Sequence, residues 1–135
     1  MDQAKWWNAV ENPLAVTNIY SEPPELAEVR IMHVEVDEQG PTALVKLELP
    51  AFPDKPPLRW HQHENNAAIL ELRLFGISKL HLEGWTTNNT ATVTLLRGGG
   101  LVNLEIIGHD MHLSASGIAA DIHRIEGYRR AQRSD

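Results

Sequence analysis

Seven histidines and no cysteine bound the metal and acid–base chemistry open to this 135-residue chain. Without thiolates there are no disulfides, no cysteine nucleophiles and no cysteine-bearing zinc sites, so a metal would need imidazole and carboxylate ligands. The densest cluster is His61-Gln62-His63-Glu64; on an extended chain residues two apart face one side, which would let His61 and His63 share an ion. Two ligands do not make a site. A third would have to come from His33 or His81, which spacing does not fix, and exposed loop histidines are the alternative. In His109-Asp110-Met111-His112 the imidazoles are three apart and would leave a strand on opposite faces. Ser114 and Ser116 have no glycines bracketing them as a nucleophile turn requires, and read as strand hydroxyls. Gly98-Gly99-Gly100 has no Lys-Ser/Thr after it and no helix to present amides to phosphate, and reads as a hairpin tip. Asn88-Asn89-Thr90 matches a glycosylation acceptor but is most simply a turn. No pair of carboxylates is spaced in a way that favours acid–base work. These residues therefore imply a protein that is not an enzyme and carries no metal or cofactor.

What does stand out is charge. Against 12 Lys and Arg stand 18 Asp and Glu, a formal net charge of -6. Nucleic acid is then a poor partner, because phosphate backbones are held by basic surfaces. Between Tyr20 and Glu38 lie Glu22, Glu25, Glu28, Glu35, Asp37 and Glu38 against Arg30 alone, so nearly all the net charge is in this stretch. A solvated face that keeps the domain soluble is one reading. The other is a docking surface for a basic protein, which would speed encounter and select partners more than add affinity. Met1 to Val10 lacks the apolar run of a secretory signal, and no stretch is long enough to span a bilayer, so no membrane contact and a cytoplasmic location are expected.

The elements that must carry these residues follow from periodicity. Trp6, Trp7, Val10, Leu14, Val16 and Ile19 recur at helical steps, predicting helices over about 3–11 and 13–20, with Asn12 as N-cap and Pro13 at the first helical position. Glu22-Pro23-Pro24-Glu25 stops them, and alternation then takes over. Val29 and Ile31 are out of phase with Val34 and Val36, so burying all four needs a bulge near Met32-His33. Ala43, Val45, Leu47 and Leu49 alternate with Lys46 and Glu48. Pro50, Pro53, Pro56 and Pro57 place the segment up to Trp60 in a loop or on an edge. Ala68 to Leu74 and Leu80 to Leu82 predict a hairpin joined near Gly76. Further strands fall at Ala91–Leu96, Val102–Ile106 and Met111–Ala115, separated by Asn88-Asn89 and the triple glycine, turns that call for positive φ. A last element at Ile118–Ile122 is open between helix and strand. Arg124, Arg129, Arg130 and Arg133 suggest a fraying polar terminus. The result is one domain over 1–135: a helical cap at 1–20, antiparallel sheet over 27–126 and a polar tail at 127–135. Its fold class is α+β, mainly β, with a meander of seven to eight strands forming a curved sheet or partly open barrel. Trp6 and Trp7 should cover an edge or mouth of the sheet, and an edge left open could pair two copies.

Four features occur in order: Trp6-Trp7 with Asn12-Pro13; the run from Leu49 to Trp60, LPAFPDKPPLRW; Gly84-Trp85; and Ile125-Glu126-Gly127-Tyr128. In this combination the chain resembles the immunity protein 50 family, small bacterial proteins of polymorphic toxin systems, from about Trp6 to Tyr128. The resemblance implies binding rather than catalysis, with a cognate protein toxin as partner, whose active site or surface is blocked. An acidic domain suits a basic toxin such as a nuclease. In the proline loop, Phe52 and Trp60 could close the end of the sheet, or Arg59 and Trp60 could anchor an interface, both types being enriched at binding hot spots. Two other readings compete with the immunity module: a small-ligand carrier with an apolar pocket under Trp6, Trp7 and Trp85, and a metal enzyme built on His61 and His63.

Overall fold

The computed structural model describes residues 5–131. Eight strands carry the chain: β1 (Val29–Asp37), β2 (Thr42–Glu48), β3 (Ala67–Phe75), β4 (Lys79–Glu83), β5 (Asn89–Gly98), β6 (Leu101–Gly108), β7 (His112–Gly117) and β8 (Ala119–Tyr128). A 3-10 turn at Trp6–Ala9, α1 (Leu14–Thr17) and α2 (Leu58–Gln62) are the helical elements. The strands form one antiparallel sheet in the order β4-β7-β6-β5-β1-β2-β3-β8, not closed into a barrel. The mainly-β α+β class read from alternation is the observed one.

The sheet has two leaves, because β1 pairs with β5 only over Val29–Ile31 and then pairs with β2 as far as Asp37. The predicted bulge is present: Ile31 lies opposite Leu47 and His33 opposite Lys46, leaving Met32 as the extra residue. It brings Val34 half into the core, but Val36 stays 57% exposed, because here β1 has left β5 behind and has a neighbour on one side only. Along β2 and into Leu49 alternation is obeyed, with Ala43, Val45, Leu47 and Leu49 buried. The last three join Leu70, Leu72, Val93, Leu95, Leu104, Ile106 and Leu113 in a single apolar cluster. The last element is strand β8.

The hairpin expected at Gly76 does not form. β3 runs on into β4, which pairs with β7, while β3 pairs with β8. Gly76, at φ 61°, bends the chain from β3 into β4 without turning it back on itself. The bend is instead tied to the next ribbon, Ile118 N–H donating to Phe75 O and Ser78 N–H to Ser116 O at 2.8 and 2.9 Å. Between β5 and β6 the glycines act as expected, Gly99 and Gly100 turning the chain at φ 61° and 77°. At Asn88-Asn89 positive φ is not used: the buried Asn89 closes the turn itself, its side chain accepting from Thr86 N–H at 2.9 Å and donating to Thr86 O at 2.6 Å.

The N-terminal segment caps the sheet as expected, through shorter helices than the periodicity predicts; Gln3 and Ala4 lie outside the described residues. Trp6 and Trp7 meet edge to face at 5.7 Å and are buried, and Trp6 Nε1–H donates to Pro24 O at 2.9 Å. Asn12 does not cap α1 with its side chain. Its amide instead accepts from Ile122 N–H at 2.7 Å and donates to Ile122 O at 2.9 Å, imitating a neighbouring strand on the edge of β8, and Glu11 N–H adds a bond to Ala120 O. An edge offers donor and acceptor together, which a planar amide satisfies at once. Asn12→Ala should lower stability by about 1–2 kcal/mol, measured by urea unfolding, with faster amide exchange at Ile122; unchanged exchange there would show that the amide pair carries no stability.

The C-terminal segment is held rather than frayed as far as Arg130. Asn66 exchanges two bonds with the Arg130 backbone, and the Arg130 guanidinium lies 2.5 Å from Glu48. Arg124 belongs to β8, and Arg133 lies outside the described residues.

Candidate functional site

All six acidic residues of the 20–38 stretch are exposed, but they form a strip rather than one patch. Glu22 and Glu25 stand on the rim of a groove of about 850 Å³, between the 3-10 turn and β5, that Trp6, Trp7, Pro23 and Leu26 also line. Lys5 reaches over the Trp7 ring at 5.6 Å. Glu28, at φ 52°, turns the chain from this rim into β1, its N–H donating to Thr92 Oγ1 while Leu26 O accepts from Val93 N–H. Asp37 ends β1 and Glu38 follows it, roughly 30 Å along an extended strand. No carboxylate of the six lies within 4 Å of a lysine or arginine among the described residues, and Glu35 meets only His33, at 3.3 Å. Elsewhere Glu11, Glu48, Glu64, Asp121 and Glu126 each have an arginine that close.

Glu35 belongs to a second feature. β8 carries a bulge of its own, with His123 extra between the Glu71–Arg124 and Leu72–Ile122 pairs. Because Lys46 faces Glu71 across β2 and β3, the two bulges lie at one level of the leaf. Met32, His33, Glu35, Leu44, Lys46, Glu71 and His123 therefore surround a shallow depression of about 470 Å³. Its imidazoles keep local partners, His33 on Glu35 and His123 4.0 Å from Glu71. The bulge in β1 was legible from its phase change; the one in β8 was not, since Ile122 and Ile125 also fit other registers.

The proline loop and the acidic strip are joined. Asp54 accepts from both Ser21 N–H at 2.9 Å and Ser21 Oγ at 2.5 Å, and these bonds, side chain first, hold its carboxyl below the ordinary aspartate range. Lys55 N–H donates to Ile19 O, and Tyr20 donates its hydroxyl to Ala51 O. Burial first, and the Asp54 charge second, push the Tyr20 phenol far above its usual range. The loop thus fixes the entry to the groove rim.

Of the two readings of Trp60, the structure corrects the interface one. Trp60 is 3% exposed, packs on Phe52 at 6.0 Å and lies over Gly127, where a Cβ would come within 2.7 Å of its ring. It sits inside α2, a helix that proline density obscured, while its neighbour Arg59 is exposed. The same helix separates the histidines: His61 is within it and His63 caps it, so two-residue spacing rotates them about 200° apart instead of onto one side. Among the described residues no three His, Asp or Glu side chains are placed to hold a metal ion. Ser114 and Ser116 are hydroxyls of β7, Ser116 donating to Asn103 at 2.7 Å. Trp85 does not line the groove of Trp6 and Trp7, which removes the three-tryptophan pocket on which a small-ligand carrier would rest.

The described residues thus form a mainly-β α+β domain whose charged groups stand on open outer faces rather than around an enclosed cavity. The chain belongs to the immunity protein 50 family, whose model matches residues 12–128. That span includes Asn12-Pro13, the proline run, Gly84-Trp85 and the Ile125–Tyr128 motif, and begins after Trp6-Trp7. No curated protein and no solved structure matches the chain.

Proposed function

We propose that the protein is an immunity protein that binds a cognate toxin of a polymorphic toxin system in the cytoplasm of the producing cell and neutralises it by covering its active site or surface. The observation that carries this reading, beyond family membership, is the set of six exposed carboxylates with no lysine or arginine within 4 Å among the described residues. A carboxylate without an internal counter-ion keeps its full field outside the domain, which is what attraction of a basic partner requires. A basic toxin, a nuclease for example, is the complementary class. Contact centres on the groove rim at Glu22 and Glu25 and continues through Glu28 to Glu35, Asp37 and Glu38, with Arg59 beside the strip's anchoring loop. Catalysis by the chain itself and direct binding to nucleic acid play no part.

A homodimer has less support. β8 is capped by Asn12 and Glu11, and the other end strand, β4, is five residues long with Lys79, His81 and Glu83 along it, a charged pattern that discourages edge pairing.

Co-expression with the cognate toxin tests the reading. Growth should be restored and a one-to-one complex recovered, with association slowing as salt rises. A toxin that kills equally with and without this chain, and does not bind it, would exclude the function.

A further inference from the structure

We propose that the free edge of β1 beyond Met32 receives an extended segment of the partner polypeptide as one more antiparallel strand, in which lysine or arginine residues alternate with apolar ones. The proposal rests on the toxin-binding reading above and adds to it how the partner is held.

The edge is free because β1 and β5 are staggered. β5 covers β1 only over Val29–Ile31, so past the bulge the strand has β2 on one side and no strand on the other. The ladder fixes which backbone groups look outward. Val93 N–H donates to Leu26 O and so points away from β6, and two residues earlier Ala91 points the same way, onto Val29. Core-side residues of β1 therefore turn their N–H and C=O groups toward the β5 side. Beyond the bulge the core-side residues are Val34 and, by alternation, Val36. Among the described residues no hydrogen bond reaches the N–H or C=O of either. On the end strand β8 the corresponding groups are taken, Ile122 by the Asn12 amide and Ala120 O by Glu11 N–H. The chain thus closes that edge with its own residues and leaves this one as a template for pairing.

The side chains decide what can fill it. In strand addition the backbone supplies affinity and alternate side chains supply specificity. Val34 and Val36 stand on one face of β1 and His33, Glu35 and Asp37 on the other; Val36 and all three polar residues are exposed. Neither carboxylate has a lysine or arginine within 4 Å among the described residues, and Lys46, on the neighbouring strand, lies opposite His33. An incoming strand then sets apolar residues against the valines and basic ones against the carboxylates. A second copy of this chain is the wrong occupant. Two copies joined edge to edge about a twofold axis put residues of the same face opposite each other, so Glu35 and Asp37 would meet carboxylates. The charge that keeps two copies apart is the charge that admits a basic strand.

The test titrates a hexapeptide of strictly alternating lysine and valine into the isotopically labelled protein and follows amide exchange. The Val34 and Val36 amides should exchange fast in the free chain and about tenfold or more slowly with peptide bound. Directly opposed residues exchange the backbone bonds of an antiparallel pair, so the peptide's valine amides make them. N-methylating those amides should weaken binding about tenfold or more, whereas N-methylating the lysine amides, which point away from β1, should change it less than about twofold. Glu35→Gln with Asp37→Asn should weaken binding about fivefold and keeps the side-chain oxygen that accepts from Gln39 N–H. Val36→Pro removes an edge N–H without touching a bond to β2 and should abolish the protection at Val34; should it fail to fold, the two N-methylated peptides decide. Equal binding by those peptides would overturn the proposal. So would protection that rises with protein concentration in the absence of peptide, the mark of a second copy. A toxin complex in which Val34 and Val36 exchange as fast as in the free chain would also overturn it, and leaves the immunity reading standing. A chain that takes the hexapeptide along this edge but binds no toxin would support the edge chemistry and overturn the immunity reading instead.

Discussion

Glu22→Lys with Glu25→Lys should slow association with the cognate toxin by about tenfold or more at low salt and flatten the dependence of that rate on ionic strength. The two carboxylates stand on the rim of the groove between the 3-10 turn and β5 and, among the described residues, have no lysine or arginine within 4 Å. Reversing them therefore changes the outward field without breaking an ion pair of the fold. The comparison variant is Glu83→Lys with Asp110→Lys, which makes the same change in net charge at exposed residues outside the strip that have no lysine or arginine within 4 Å among the described residues. If attraction were a matter of total charge, both pairs would slow association equally. A selective effect at Glu22 and Glu25, read by stopped-flow at several salt concentrations, assigns the steering to the rim; equal slowing would remove the groove from the interface. Dissociation should change less than association, because rim charges steer encounter more than they hold the complex.

Trp60→Ala should cost about 3–5 kcal/mol of stability, as removal of a large buried aromatic usually does. The indole fills the end of the sheet between Phe52 and Gly127, so truncation leaves a cavity that neither the proline loop nor the β8 backbone can close. Gly127→Ala approaches the same contact from the other side, placing a Cβ within 2.7 Å of the ring. It should cost about 1–3 kcal/mol through overpacking. Combined, the two changes should cost less than their sum, because without the indole the added methyl meets only the Asn65 amide. Denaturant unfolding of the four proteins measures this directly. Were Trp60 an interface anchor instead, the single substitution would weaken toxin binding and leave stability nearly unchanged.

Alternation in sequence was a sound guide wherever one face of a strand meets the core and the other meets water. Val45, Leu47, Leu70, Leu72, Val93 and Leu104 all point as their spacing requires, and the phase change at Met32-His33 located a bulge. Pairing was not legible. Leu80 and Leu82 have the same pattern whether β4 folds back on β3 or continues past it to β7, because period two reports which face is buried and not which strand lies beside it. The site shows the same division. The acidic strip could be counted from composition, but that its carboxylates lack arginine partners depends on which strands are neighbours. Trp60 was ambiguous because an aromatic beside an arginine suits a hot spot and a core equally well.

By itself the sequence determined the mainly-β class, the absence of cysteine chemistry, the acidic stretch and the family motifs, since each is local or additive along the chain. Tertiary structure alone decided that Asn12 caps an edge strand, that Trp60 packs in the core against Gly127, and that bulges in β1 and β8 meet at one level. Each of these is a meeting of residues far apart in sequence, set by strand register and by the chain passing from β3 to β4 and from β7 to β8. No local propensity records a contact whose other half lies on a different strand.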